Sequence, residues 1–248
     1  MRIAVAGGTG WTGKRVVEAL EARGDEVVVL ARSRGVDLVS GDGLRVGLEG
    51  VDTVIDVTNI ATQSAERSIE FFGTVSTNLV RAEREAGVRH HVALSIVGCD
   101  RVDLNYYLGK RRQEEVVLGG DVPATVLRAT QFHEFAAQML AARGPVVVAP
   151  RMLCQPVALV EVSEQLVTLA HGAPLGQAPE LAGPEPGLRM EEMITRLAKQ
   201  QGDRRFRFRV ALPGKAGRQI KNGGLLPTGA GPRGRITFDA WLAGGAGA

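Results

Sequence analysis

Over the first 130 positions, apolar residues gather in short runs separated by longer stretches of helical spacing. The runs Arg2–Ala6, Glu26–Ala31, Asp37–Val39, Thr53–Val57, His91–Ser95 and Thr125–Arg128 are rich in Val, Ile, Leu and Ala. Near-continuous apolar runs of this length predict strands buried on both faces. Gly13–Ala22, Ala65–Ala86 and Tyr107–Leu118 read as helices between them, with only a stunted helix near Leu44–Leu48. Strand and helix in alternation make βαβ units, so the expected fold class is α/β with a parallel sheet and helices on both faces.

Beyond Thr130 the pattern loosens. Phe135–Ala142, Val162–His171 and Met190–Gln201 read as helices, and Val146–Ala149 as a strand. Pro174–Pro186 and Pro213–Gly234 are rich in Gly and Pro and read as loops; Gly244–Ala248 is expected to fray. The 248 residues suit a single α/β domain, with a core over about residues 1–150 and a smaller C-terminal portion over about 151–243.

Composition narrows the class. Apolar residues make up 44% and charged residues 23%, ordinary for a globular chain. Cys99 and Cys154 are far apart and belong to no metal-ligand spacing, and with four histidines in no paired pattern no metal site is expected. The N-terminal residues run straight into a glycine turn, and no apolar run approaches the roughly 20 residues that span a bilayer. A cytoplasmic protein without membrane contact is the expectation. Net charge is +3, with a basic tract at Arg204–Arg209. Its alternation with Phe206, Phe208 and Val210 is the period of a half-exposed strand, which is favoured over an anion- or nucleic-acid-binding surface, and no nucleic-acid partner is expected.

The strongest chemical signal follows the first strand. Gly7-Gly8-Thr9-Gly10-Trp11-Thr12-Gly13 satisfies both GxxGxxG and GxGxxG and opens directly into a helix. Glycine is needed there because the strand must turn sharply and a side chain would keep a pyrophosphate from the backbone, while the helix N-terminus offers unpaired N–H groups. In the strand–loop–helix context this reads as a Rossmann-type dinucleotide site, with Gly7, Thr9, Gly10, Trp11, Thr12 and Gly13 as candidate cofactor contacts. A NAD(H) site usually carries an acid at the end of the second strand. Here Arg32-Ser33-Arg34 stands instead, so Arg32 and Ser33 are candidates for a ribose 2′-phosphate, and NADP(H) is favoured over NAD(H). Asp42, Thr58 and Asn59 fall where strands end in such sheets; cofactor contacts and turn or cap residues are equally open readings for them.

A candidate reaction set lies further on. Ser95 ends the fifth run, and Tyr106 and Lys110 are spaced i, i+4, on one face if helical. A neighbouring ammonium would lower the phenol pKa and make Tyr106 a usable proton donor. Ser95 could orient a carbonyl, and Lys110 could also hold the nicotinamide ribose. Tyr107 is expected to pack or to line the pocket. After the sixth run, Gln131, Phe132 and His133 are expected to wall a substrate pocket; His133 or Glu134 could assist proton transfer, although helix-capping loop residues are the favoured reading.

The Gly7–Gly13 loop, Arg32-Ser33, Ser95-Ile96-Val97-Gly98, Tyr106-Tyr107-x-x-Lys110 with Glu114, Leu127 to Phe132 and Thr237-Phe238-x-x-Trp241-Leu242 together resemble the atypical short-chain dehydrogenases/reductases of the NmrA-like, NAD(P)H-binding group. The resemblance implies a Rossmann core with a smaller C-terminal part covering the substrate cleft, and it matches the family Tyr-x-x-x-Lys pair to Tyr106 and Lys110 and the family serine to Ser95. It implies an NADP(H)-dependent reductase of a small carbonyl, quinone or enone, acting as monomer or homodimer. The alternative it also implies is a redox-sensing regulator that binds NADP(H) and a protein partner without turnover. The segment after Gly41-Asp42 is shorter than the family pattern.

Overall fold

The computed structural model describes residues 1–244, so most of the stretch expected to fray lies outside the described residues. In chain order the elements are β1 (Arg2–Ala6), α1 (Trp11–Arg23), β2 (Glu26–Leu30), α2 (Leu44–Gly47), β3 (Thr53–Asp56), α3 (Ala65–Ala86), β4 (His90–Ile96), α4 (Asn105–Leu118) and β5 (Ala124–Ala129). There follow α5 (His133–Ala141), β6 (Val146–Pro150), β7 (Leu153–Cys154), α6 (Leu159–His171), β8 (Gly176–Gln177), β9 (Leu188–Arg189), α7 (Met190–Gln200), β10 (Phe206–Val210), α8 (Gly214–Lys221) and α9 (Phe238–Ala243).

The chain divides into two compact units built from interleaved segments. The first comprises Met1–Ser95, Leu104–Arg128 and Val162–Ala178; the second comprises Ile96–Asp103, Ala129–Glu161 and Pro179–Ala248. The expected boundary near residue 150 therefore falls inside the second unit.

A six-stranded parallel sheet runs in the order β2-β1-β3-β4-β5-β8. It is the doubly wound order of dinucleotide-binding sheets with the strand outside β2 missing. The sequence pattern puts that strand at Asp37–Val39, and the structure corrects it to a turn. The Asp37 carboxylate accepts from the N–H of Val39 (2.8 Å), and Asn78 of α3 donates to the carbonyls of Leu38 and Val39. Side chains thus take up the backbone groups that a sheet ladder would have used. Leu38 and Val36 still serve the first core, with Ala4, Ala6, Leu30, Leu44, Leu48, Val54, Val75 and Leu79.

Helices α3 and α4 pack against each other, and Gly109 marks a point of close backbone approach. A Cβ built on Gly109 of α4 would stand 2.1 Å from Ser68 Oγ and 2.6 Å from the Ser68 carbonyl of α3. No side chain fits, and Ser68 Oγ bonds instead to the carbonyl of Tyr106 at 2.9 Å. This contact sets the height of the α4 segment that carries Tyr106 and Lys110.

In the second unit, β6 and β10 pair in parallel, and α5 packs on both α7 and β6. From Phe206 the basic tract forms β10, as its alternation predicts, but the faces are not as expected: Phe206 and Phe208 are exposed beside Val146 and Val148, and Arg207 is half-buried. Pro213–Gly234, expected as loop, contains α8, whose Ile220 and Gly217 are buried. Both cysteines are free and buried.

Candidate functional site

Of the predicted cofactor residues, the Gly7–Gly13 loop, Arg32, Ser33, Thr58 and Asn59 follow the carboxyl ends of β1, β2 and β3, where ligands collect in open α/β sheets, whereas Asp42 lies in a turn that follows no strand and Lys110 lies on α4. After β1 the chain turns through Gly7–Gly10, with the Gly10 N–H on the Gly7 carbonyl at 2.9 Å. A Cβ on Gly13 would stand 2.2 Å from the Gly7 carbonyl oxygen and 2.6 Å from Gly8 Cα. Glycine alone permits α1 to start this close under the loop. Gly10 caps α1 with no side-chain hydrogen bond, and no acid lies in the first turn. The positive end of the helix is thus uncompensated by the chain. Thr9 and Trp11 are exposed, Trp11 at 44%, and Thr12 is half-buried.

Arg32, Ser33 and Arg34 make a 3-10 turn directly after β2, all exposed. Asp42 sits in a local turn, accepting from Ser40 Oγ at 2.8 Å and donating its N–H to the same oxygen at 3.2 Å. After β3, Thr58 donates its N–H to Asp56 Oδ1 (2.9 Å), yet its own buried hydroxyl has no partner. An orphaned buried hydroxyl is costly unless a ligand completes it. Exposed Asn59 accepts a 2.6 Å hydrogen bond from the Tyr106 hydroxyl.

Tyr106 and Lys110 both fall on α4, as their spacing predicts. The expected lowering of the phenol pKa is overturned. Burial dominates and pushes the Tyr106 hydroxyl well above its usual value. The Lys110 ammonium donates to the Leu94 carbonyl (2.6 Å) and to Gln113 Oε1, and lies 4.7 Å from the centre of the Phe72 ring. The other side of that contact network is the Phe72–Tyr106 edge-to-face pair, with ring centroids 5.7 Å apart. Phe72 therefore touches both members of the pair. Tyr107 is buried and packs edge-on to Tyr106.

Ser95 is buried, and its hydroxyl donates to Glu114 Oε1 at 2.5 Å. Arg128 grips the same carboxylate in bidentate fashion, Nε to Oε1 at 2.9 Å and Nη2 to Oε2 at 2.6 Å. A bidentate guanidinium on a nearly dry carboxylate is among the strongest polar contacts available to a protein. Neither Glu114 nor Arg128 is assigned a role by the sequence pattern, although Glu114 stands four residues beyond Lys110.

A second buried polar group is equally hidden in the sequence. His91 on β4 faces Glu83 of α3 through Nδ1 (2.8 and 2.9 Å to the two oxygens), and its Nε2 lies 4.0 Å from Asp56 Oδ2. Burial pulls the imidazole pKa down, but the charge and hydrogen bond of Glu83, helped by Asp56, outweigh it and the net shift is upward. Asp56 Oδ2 also accepts from Gln113 Nε2 at 2.6 Å. The available signal is the presence of ionisable residues, Asp56 and His91, in strands whose burial the apolar pattern predicts.

Gln131, Phe132 and His133 belong to the second unit. The Gln131 side-chain amide is buried with neither end partnered, while its carbonyl accepts from the Val157 N–H at 2.9 Å. His133 and Glu134 open α5 and face α9. His133 Nε2 lies 3.0 Å from the Ile236 carbonyl, and its ring packs 5.6 Å from Phe238 and 5.8 Å from Trp241. Glu134 accepts from Trp241 Nε1 at 3.0 Å and from the Leu159 N–H. Burial holds the His133 pKa down. Both residues lie within the first turn of α5 rather than in a loop, and neither caps it; their contacts tie α5 to the C-terminal helix. Among the described residues there is no cluster of metal ligands and no helix long and apolar enough to cross a membrane.

No protein-family model matches the chain. Photosystem II assembly factor Ycf39 of Synechocystis sp. is 34% identical over 113 residues, 39% of this chain and 34% of that protein. The (4-alkanoyl-5-oxo-2,5-dihydrofuran-3-yl)methyl phosphate reductase of Streptomyces griseus is 31% identical over 145 residues, 52% of this chain and 48% of that one. The chain thus spans half or less of the curated relatives it matches. Among solved structures, MoeE5 with UDP-glucuronic acid and NAD superposes with a TM-score of 0.75 at 18% identity, covering 98% of this chain and 97% of that one. The triphenylmethane reductase of Citrobacter sp. with NADP(H) gives 0.70 at 17% identity, covering 92% and 93%. The chain has the Rossmann-type α/β fold of these solved proteins, and its sequence is similar to the two curated relatives over 39% and 52% of its length.

Proposed function

We propose that this protein binds NADP(H) and reduces a small carbonyl, quinone or enone. The observation that carries the binding half is the Gly7–Gly13 cradle, in which a Cβ at Gly13 would collide with the loop and the Gly10 cap of α1 makes no side-chain hydrogen bond. The orphaned Thr58 hydroxyl at the next strand end fits the same ligand. Solved neighbours of the same fold hold either NAD or NADP(H), so the preference rests on Arg32 and Ser33, which stand where an acid would bind a free ribose hydroxyl and repel a 2′-phosphate.

The cofactor would supply a hydride to the substrate carbon. What remains belongs to the chain. Gly7, Thr9, Gly10, Trp11, Thr12 and Gly13 would receive the pyrophosphate, with Thr58 and Asn59 at the neighbouring strand end and Asp42 in its turn. Tyr106, kept protonated by burial, would give its proton to the substrate oxygen, and Asn59 fixes the phenol's direction. Lys110 would hold the ribose as an ammonium, and Ser95 would support the oxygen. Tyr107, Gln131, Phe132 and His133 remain the proposed substrate-side residues.

The test is NADPH oxidation with a panel of quinones, enones and aldehydes, wild type against Tyr106→Phe. Loss of turnover with retained binding is the expected result; equal turnover in both overturns the assignment. A regulatory reading is favoured by one observation: the Tyr106 and Ser95 hydroxyls already donate to Asn59 and Glu114. Tight NADPH binding without turnover on any of these substrates would select that reading, a sensor that carries its redox state to a protein partner.

A further inference from the structure

Lys110 stands at one end of a buried line of polar groups. Its ammonium donates to Gln113 Oε1, Gln113 Nε2 donates to Asp56 Oδ2, and Asp56 Oδ1 accepts the Thr58 N–H. Beyond Asp56 lie His91 and then Glu83. Asp56, Glu83, His91 and Gln113 have no exposed surface, and Lys110 is 4% exposed. The chemistry of the line allows one arrangement. An ammonium only donates and a carboxylate only accepts, so a single amide between them must turn its oxygen to Lys110 and its nitrogen to Asp56. Both carboxyl groups have polar partners in the core: Asp56 takes Gln113 Nε2 and the Thr58 N–H, and Glu83 faces His91 Nδ1.

We propose that Gln113 is a positioning residue for Lys110, and that Asp56 is the buried counter-charge acting through it. The pair fixes both the place and the charge of the ammonium from the core side of α4. The role of that ammonium toward a cofactor rests on the function proposed above. The position of the ammonium does not, and this separates the two in experiment.

The test exchanges the charge along the line. Asp56→Asn leaves the Gln113 amide facing a group that no longer demands a donor, and Gln113→Met removes the acceptor from Lys110. In the double variant Asp56→Asn/Gln113→Glu, a carboxylate meets Lys110 directly. The amide introduced at position 56 can donate to that carboxylate while its oxygen keeps the Thr58 N–H. From Lys110 to Thr58 the order of donors and acceptors is preserved; toward His91 Nε2, 4.0 Å from Asp56 Oδ2, an amide replaces the carboxylate. The first readout is the nitrogen resonance of the Lys110 ammonium in the full cofactor-free chain, assigned by its absence in Lys110→Met. A slowly exchanging ammonium signal is expected in the wild type, lost in each single variant and restored in the double variant. The second readout is turnover with NADPH: in the single variants kcat falls about tenfold or more and KM for NADPH rises as the ribose loses its ammonium, and the exchange recovers most of both losses. Where a single variant does not fold, recovery of folding, signal and rate in the double variant supports the proposal equally. An unchanged ammonium signal in Gln113→Met, or a double variant no better than either single, overturns the proposal. A signal that follows the expected pattern while NADPH binding and turnover ignore every variant supports the positioning and overturns the reductase reading instead.

Discussion

The Tyr106 hydroxyl donates a 2.6 Å hydrogen bond to the side-chain oxygen of Asn59, joining the start of α4 to the end of β3. The bond aims the phenol, and burial keeps it protonated far above neutral pH. For reduction, in which the phenol is the proton donor, the rate set by this group should stay level from about pH 6 to 9. Asn59→Ala should lower kcat by about tenfold through lost aim and also weaken NADPH binding, since Asn59 stands among the proposed cofactor contacts. A stopped-flow pH series on both proteins checks this; a wild-type rate that falls with an apparent pKa near 7 would assign the acid to another group.

Gly13→Ala should be severe. With its Cβ 2.2 Å from a backbone oxygen, either α1 or the loop must shift. A loss of about 2 kcal/mol or more in urea unfolding, together with loss of NADPH binding, is expected. Gly24→Ala, whose position is free of neighbours within 4 Å but left-handed, should cost about 1 kcal/mol and leave binding intact.

Arg32→Ala should weaken NADPH binding about tenfold or more and NADH binding hardly at all, since only NADPH carries the 2′-phosphate. Quenching of Trp11 is a convenient readout, because the indole lies exposed at the first residue of α1. Equal weakening of both cofactors would remove Arg32 from the phosphate site.

The Glu114–Arg128 pair should be worth most to stability. Side-chain exposures are 8% and 15%, so removing one partner strands a charge with little water. Arg128→Met should cost about 3 kcal/mol, measured by urea unfolding at pH 7. A change under about 1 kcal/mol would mean that water reaches Glu114 in solution.

His91 should give the fold a pH dependence of definite sign. Its folded pKa lies above the unfolded value of about 6.5, so the folded state binds the proton more tightly. The resulting stabilisation is complete below about pH 6.5 and disappears as pH rises through the folded value. His90 and His133 have lowered pKa values and act in the opposite sense, losing stability as pH falls. The difference in unfolding free energy between wild type and His91→Gln should therefore shrink on going from about pH 6 to pH 9. A difference that grows with pH would place the neutral imidazole in the native state.

The sheet is legible in the sequence because its strands are buried on both faces, which writes continuous apolar runs into the chain. Helix α3 is readable to its terminal residues because Ser64 caps it and Gly87 ends it. Asp37–Val39 misleads because three apolar-flanked residues cannot reveal that Asn78, far along the chain, will take their carbonyls. The same reason hides the polar core. Spacing places Tyr106 and Lys110 on one helix face, but their partners come from β3 and β4, and single-sequence periodicity carries no information about such distant pairings. Burial then reverses the expected effect on Tyr106, a quantity that exists only once the chain has folded.

The interleaving of the two units has a consequence for synthesis on the ribosome. The first unit draws its last segment, Val162–Ala178, from beyond a long stretch of the second. That segment brings β8, the outermost strand beside β5, and the Ala170 carbonyl that takes the Thr53 hydroxyl. The glycine loop emerges well before the rest of its unit, which is unfinished until Ala178 has left the exit tunnel. A nascent chain halted between Arg128 and Val162 should remain sensitive to protease and exposed to chaperones, however complete its dinucleotide motif.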